Sequence, residues 1–277
     1  MKRVLIIGLG EIGRANASYL KSINGLDVYG FDINDQAVEN ARREGLIKPL
    51  EGGFEGFDVY MICVATHDWN DMTKPDLTPI HHTTRRILDE GTRGALVTME
   101  STVPLGTSRH VGNLLSAKGI HLVTTPERYW KESKDHGINQ ARVMGSFDKC
   151  CRALGEEYYN QILQIPTYPA SSLELAEASK FIENMERTVR IATVQGVRMY
   201  AESKGLSYEE LKEACETKWN TEFLEARDGI FGHCLRKDTM MFVEDGGVSA
   251  MIAKAAIELD DLYREYRAPK NTLESTQ

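Results

Sequence analysis

Val4 to Ile7 is an uninterrupted apolar, β-branched run closed by Gly8, the pattern of a strand buried on both faces of a parallel sheet. From Arg14 to Ser22 the apolar spacing turns helical, and Val28 to Phe31 gives a second strand that stops at Asp32. The alternation continues: a helix over 34–44, a strand over 58–65, a strand over 94–99, a helix over 108–118, a strand over 120–125 and another around 143–145. From Ser171 the pattern changes to long helices, over 173–205 and 207–219, with a last amphipathic one over 248–267 and a polar tail after it. The spacing therefore predicts an α/β domain over residues 1–170 followed by an all-helical domain over 171–277.

The first strand-to-helix turn holds GxGxxG at Gly8, Gly10 and Gly13, and Asp32 follows about twenty residues on, the dinucleotide-binding arrangement of a Rossmann domain. Gly8 makes the tight turn, Gly10 lets a pyrophosphate approach the backbone, and Gly13 lets helix and strand pack closely, with Glu11 and Ile12 opening the helix whose N-terminus faces the phosphates. An acid at position 32 accepts from both ribose hydroxyls and repels a 2′-phosphate, so NAD is expected over NADP. Ala65 and Thr66 end one strand and Ser101 and Thr102 another; in such sheets these carboxyl ends line the ligand crevice. His67 and Trp69 lie in the loop after the former.

Composition narrows the class. With 42% hydrophobic and 27% charged residues and a formal net charge of −8, the chain reads as a globular protein without a wide nucleic-acid or anionic-membrane surface. No apolar run approaches the length of a membrane helix, and a cytoplasmic location is expected. The five cysteines, Cys63, Cys150, Cys151, Cys215 and Cys234, lack disulfide or zinc-ligand spacing, so no metal site is expected; the His81–His82 pair reads as solvated.

One stretch departs from ordinary patterning. Between Gly229 and Asp238 a glycine-punctuated turn presents Cys234, Lys237 and Asp238 within five positions. A thiol becomes a nucleophile in an electropositive, partly open setting, yet a lone cysteine equally suits a small buried hydrophobe. Lys180 and Asn184, four apart on the first long helix, project from one face, as solvated pairs also do.

Taken in order, these segments resemble the UDP-glucose/GDP-mannose dehydrogenase family, the nucleotide-sugar 6-dehydrogenases. The resemblance rests on GxGxxG with Asp32, on Ser101 to Gly106, on Pro126 and Glu127, on Glu174 to Lys180 with Asn184 and Arg187, and on Gly232 to Asp238. It implies oxidation of a primary alcohol twice, to a carboxylate, with two NAD reduced and a cysteine thioester between the steps. Cys234 then corresponds to the nucleophile, Lys180 and Asn184 to the oxyanion-stabilising pair, Asp238 and Thr102 to the groups holding a catalytic water, and Glu127 to the acid/base carboxylate. Glu127, Arg128, Lys180, Asn184, Gly232 and Lys237 would contact the substrate, a sugar, nucleotide sugar or nucleoside-like alcohol. The sequence departs from the family at Arg236 and Ala141, where proline is common, and stops where a third α/β domain usually begins. Apolar faces on the long helices predict a homodimer packed through them. A two-electron hydroxyacid dehydrogenase of the 6-phosphogluconate or 3-hydroxyisobutyrate type, which needs no cysteine, and a non-catalytic NAD-binding subunit are the alternatives.

Overall fold

The computed structural model describes residues 1–71, 74–130, 137–230 and 233–274. The chain folds as two compact units, residues 1–68 with 75–180, and residues 69–74 with 181–277. The division falls inside a long helix, ten residues beyond the change of pattern at Ser171.

In the first unit the strands are β1 (Lys2–Ile7), β2 (Leu26–Phe31), β3 (Lys48–Pro49), β4 (Val59–Ile62), β5 (Leu96–Met99), β6 (His121–Thr124), β7 (Arg142–Ser146) and β8 (Thr167–Pro169). They lie in the order β3-β2-β1-β4-β5-β6-β7-β8, parallel throughout except that β7 runs antiparallel to β6. The helices are α1 (Glu11–Lys21), α2 (Asp35–Arg43), α3 (Thr78–Glu90), α4 (Thr107–Ala117) and α5 (Lys149–Glu156), the last continued by a π-helical turn over Glu157–Ile162. The strand order reverses between β1 and β4, the place where open α/β sheets take their ligands.

The apolar runs are apolar because both faces are covered. Along β1, Val4 and Ile6 enter one core with Leu20, Met61 and Tyr158, while Leu5 and Ile7 enter the other with Tyr60, Val97 and Leu115. The π-helical turn and β8 carry no pattern that separates them from a loop in sequence. The extra backbone residue of the π turn lets adjacent Tyr158 and Tyr159 both be buried, at 1% and 0% exposure.

The long helix α6 (Leu173–Ser203) begins in the first unit and continues into the second, which also holds α7 (Tyr208–Glu216), α8 (His233–Gly246) and α9 (Met251–Glu274), the last entered through a 3₁₀ turn over Gly247–Ala250. Val194, Ala201, Tyr208 and Ala226 form a small core there. The helix starting at His233 is a correction: the stretch expected to be a turn presenting Cys234, Lys237 and Asp238 places all three on α8. No helix among the described residues is long and apolar enough to cross a membrane.

Candidate active site

At the reversal point the glycine turn is built as its composition requires. Gly8 has φ +93°, and a Cβ there would lie 2.6 Å from the Cys63 carbonyl oxygen on the neighbouring strand. A Cβ on Gly13 would lie 1.8 Å from the Gly8 carbonyl oxygen, so helix and turn touch backbone to backbone. Gly10 differs, since a Cβ there meets nothing within 4 Å. Two glycines thus close the turn and the third leaves open, exposed space in front of the first turn of α1, which fits an approaching pyrophosphate. Glu11 is exposed and Ile12 half-buried in that turn, so their backbone N–H groups are what they can offer a phosphate.

Asp32 closes the second side of this cradle. Its Oδ2 accepts the Leu9 N–H at 2.6 Å and its Oδ1 the Asn34 N–H at 2.8 Å, which fixes the carboxylate at the end of β2. Each oxygen keeps a lone pair for a ribose hydroxyl. These residues fit a dinucleotide.

The neighbouring strand ends are tied together. The Thr66 hydroxyl donates to the Thr102 carbonyl at 2.8 Å, and the Ser101 hydroxyl donates to the Val64 carbonyl at 2.7 Å, so Ala65 and Thr66 are held against Ser101 and Thr102. The turn that follows depends on a residue whose role sequence reading missed. Gly106, at φ +83°, supplies no side-chain cap for α4, and buried Glu177 of α6 takes its place, accepting the Gly106 N–H at 2.7 Å and the Ser108 N–H at 2.6 Å. Glu174 pairs with Arg109, which holds its carboxyl down at about 2. The acids before Lys180 therefore anchor the helix to the turn carrying Thr102.

Glu127 lies just past the carboxyl end of β6, 5% exposed. Its Oε1 accepts the N–H groups of Arg128 and Tyr129 at 2.8 and 3.1 Å, and its Oε2 pairs with the fully buried Arg142. Burial pushes this carboxyl up against the opposing pull of Arg142. The Arg128 side chain turns to the Ala141 carbonyl at 2.7 Å.

In the second unit Asn184, Lys237 and Asp238 come together. The Asn184 amide donates to Asp238 Oδ2 at 2.6 Å, and Lys237 Nζ lies 3.3 Å from Asp238 Oδ1, with Asp238 2% and Lys237 6% exposed. Thr188 and Thr239 continue the polar seam, their hydroxyls 2.9 Å apart. Cys234 is exposed and precedes Asp238 by one turn, on the same face of α8. The first turn of a helix is where a thiolate is electrostatically favoured. Lys180 is half-buried on α6, one turn before Asn184. Gly232, expected to touch substrate, lies outside the described residues.

The segment entering α8 is pinned by α9. Buried Asp260 accepts the Ile230 N–H at 2.8 Å and the Gln195 amide at 2.9 Å. Arg236, the residue standing where the family often has proline, grips Asp261 through two hydrogen bonds of 2.7 Å. The departure thus has its own structural use.

The structure also joins residues with no sequence spacing to suggest it: ligand-type atoms of His121, Asp148 and Cys151 lie within 4.8 Å of one another. Asp148 Oδ1 is engaged as the cap of α5, accepting the Cys151 N–H at 2.7 Å, and burial first of all pushes the Cys151 thiol up to about 11. Both features suit a capped helix start more than a cation.

Residues 47–163 match the family model described as UDP-glucose/GDP-mannose dehydrogenase family, NAD binding domain, and residues 174–261 match the central domain of the same family. A UDP-N-acetyl-D-mannosamine dehydrogenase of Methanocaldococcus jannaschii is 30% identical over 94% of this chain and 65% of its own length. A UDP-N-acetyl-D-glucosamine 6-dehydrogenase of Salmonella typhi is 29% identical over 85% of this chain and 61% of its own. The chain thus spans less than two-thirds of the length of either relative. Among solved structures, a UDP-D-ManNAc dehydrogenase from Pyrococcus horikoshii superposes with a TM-score of 0.82 at 24% identity, covering 99% of this chain and 72% of that one. A Mycobacterium tuberculosis 3-hydroxyisobutyrate dehydrogenase shares the fold with a TM-score of 0.72 at 17% identity, covering 97% and 94%. Two family models in the expected order, a glycine cradle with its fixed acid, and relatives of one kind agree: the chain belongs to the UDP-glucose/GDP-mannose dehydrogenase family.

Proposed function

We propose that this chain is an NAD-dependent dehydrogenase that oxidises the primary alcohol of a nucleotide-linked sugar to a carboxylate through a Cys234 thioester. The observation that carries the reading is the cluster of half-buried Asn184 with buried Asp238 and Lys237, one helical turn from an exposed cysteine in the first turn of α8. Residues 1–170 are assigned to the dinucleotide and residues 171–277 to substrate and dimerisation. NAD, when bound, accepts a hydride at each of two oxidations.

As its hydride leaves, the alcohol's proton passes to the water assigned to Thr102 and Asp238. Lys180 and Asn184, one turn apart on α6, are the groups assigned to the alcohol oxygen; a cation and an amide lower the barrier by stabilising developing negative charge. Asp238 holds one amide hydrogen of Asn184 and so orients the other. An aldehyde cannot give up a second hydride until its carbon is tetrahedral. The Cys234 thiolate supplies this by forming a carbon–sulfur bond, and the carbonyl electron pair moves to the oxygen held by the same two donors. Loss of the second hydride leaves a thioester. Water, assigned to Thr102 and Asp238, adds to it while Glu127 takes the proton, and the carbon–sulfur bond breaks to return the thiol and release the carboxylate. Glu127's raised affinity for a proton suits this work. Exposed Trp219, Val248, Met251 and Ile252 on the helical unit are apolar surface of the kind a homodimer covers.

The two-electron alternative draws on the likeness in fold to the 3-hydroxyisobutyrate dehydrogenase. Counting NADH per UDP-N-acetylhexosamine consumed separates the two. Two equivalents, falling to one or none in Cys234→Ser, support the thioester route. One equivalent, untouched by that substitution, refutes it.

A further inference from the structure

Beneath Glu127 the first unit buries an ionic cluster that the steps above leave unused. Arg142, fully buried at the start of β7, pairs through Nη1 with Glu100 Oε2 and through Nη2 with Glu127 Oε2. Glu100, directly after β5, is 1% exposed. Among the described residues the cluster therefore holds two carboxylates and one guanidinium. The other groups facing it are neutral: Asn16 from α1, whose amide lies 3.5 Å from Glu127 Oε2 and whose Oδ1 accepts from Arg142 at 3.4 Å, and Cys63, Tyr158 and Tyr159, which burial keeps protonated. Both acids ionised would leave a net negative charge out of water, which is unfavourable unless a proton is retained.

The two acids are not equivalent. Glu100 is surrounded by donors: the Thr98 hydroxyl at 2.9 Å, the Thr125 hydroxyl at 3.3 Å, the Tyr159 hydroxyl and Arg142. Both of its oxygens are thereby held in place. Glu127 sits past the strand end with residual exposure and can exchange a proton with what lies outside.

We propose that Glu100 is a positioning residue for Glu127: across the shared guanidinium of Arg142 the two carboxylates hold one proton, which enters and leaves through Glu127. As a role within catalysis this rests on the function proposed above, whereas the proton sharing itself is a property of the folded chain. A carboxyl that takes up a proton and gives it back serves as base in one step and acid in another, which two successive oxidations and a hydrolysis require.

Infrared titration of the full chain tests this without turnover. The carbonyl stretch of a protonated carboxyl should persist at a pH where exposed glutamates have ionised, and Glu127→Gln should remove it. In Glu100→Gln, with one buried negative charge gone, the midpoint of that band should fall by about one pH unit or more. Absence of the band in the wild-type chain, or an unmoved midpoint in a folded Glu100→Gln, overturns the proposal; the comparison of wild type with Glu127→Gln decides even where Glu100→Gln does not fold. In turnover, Glu100→Gln should move the acid limb of the kcat profile the same way and leave KM in place. The expected band in a chain that oxidises no nucleotide sugar supports the proton sharing and counts against the function.

Discussion

Glu177 links the long helix to the turn that carries Thr102, and its removal has a size that can be worked out. Both of its oxygens accept backbone N–H groups at the start of α4, at 2.7 and 2.6 Å, and its side chain is fully buried. Hydrogen bonds to a charged group contribute roughly 1.5–3 kcal/mol each, and a buried donor left unpaired costs about 1–3 kcal/mol. Glu177→Gln keeps one acceptor oxygen and turns an NH₂ group toward the other donor, so the expected loss is about 2–4 kcal/mol. Glu177→Ala abandons both donors and opens a cavity, and should cost more. At about 2–4 °C per kcal/mol for a domain of this size, the glutamine variant should melt on the order of 5–15 °C lower. Urea titration followed by circular dichroism would show a lower midpoint at unchanged slope, with alanine below glutamine. Equal midpoints for wild type and Glu177→Gln would refute the capping role.

Two further outcomes follow from single contacts. Asp32→Asn replaces an oxygen that receives the Leu9 N–H and removes the charge assigned to the ribose; NADH should bind about tenfold more weakly in a fluorescence titration, and preference over NADPH should narrow. Unchanged affinity for both dinucleotides would remove Asp32 from the site. The Arg109 pair holds the Glu174 carboxyl at about 2, below its ordinary 4.5, so the stability it confers is present above pH 4.5 and is lost as pH falls toward 2. Arg109→Gln should therefore sit below wild type in urea midpoint at neutral pH and converge with it in acid; a constant gap across that range would show that the pair is not what titrates.

Much of the cofactor half was legible because its signals are local. A β-branched run, three glycines and an acid at the end of the next strand each answer a demand of the backbone within a few residues, and φ +93° at Gly8 with a backbone contact at Gly13 is what those glycines serve. Lys180 and Asn184 were legible for the same reason, since helical periodicity alone puts positions four apart on one face. The start of α8 was not: Gly229 and the residues after it read as a turn, but Asp260 and Asp261 of α9, paired with the Ile230 N–H and with Arg236, hold the segment so that Cys234 enters a helix.

By itself, then, the order of residues determined the βαβ start, the long helices and which side chains were candidates for chemistry, because periodicity and turn chemistry act over a handful of positions. Only the tertiary structure decided their company. Arg142 joins Glu100 and Glu127 from three different strand ends, Tyr159 reaches Glu100 from a π-helical turn, and Glu177 caps a helix 71 residues earlier. A buried charge must find its partner wherever the sheet brings one, and that distance through the chain leaves no trace in local pattern.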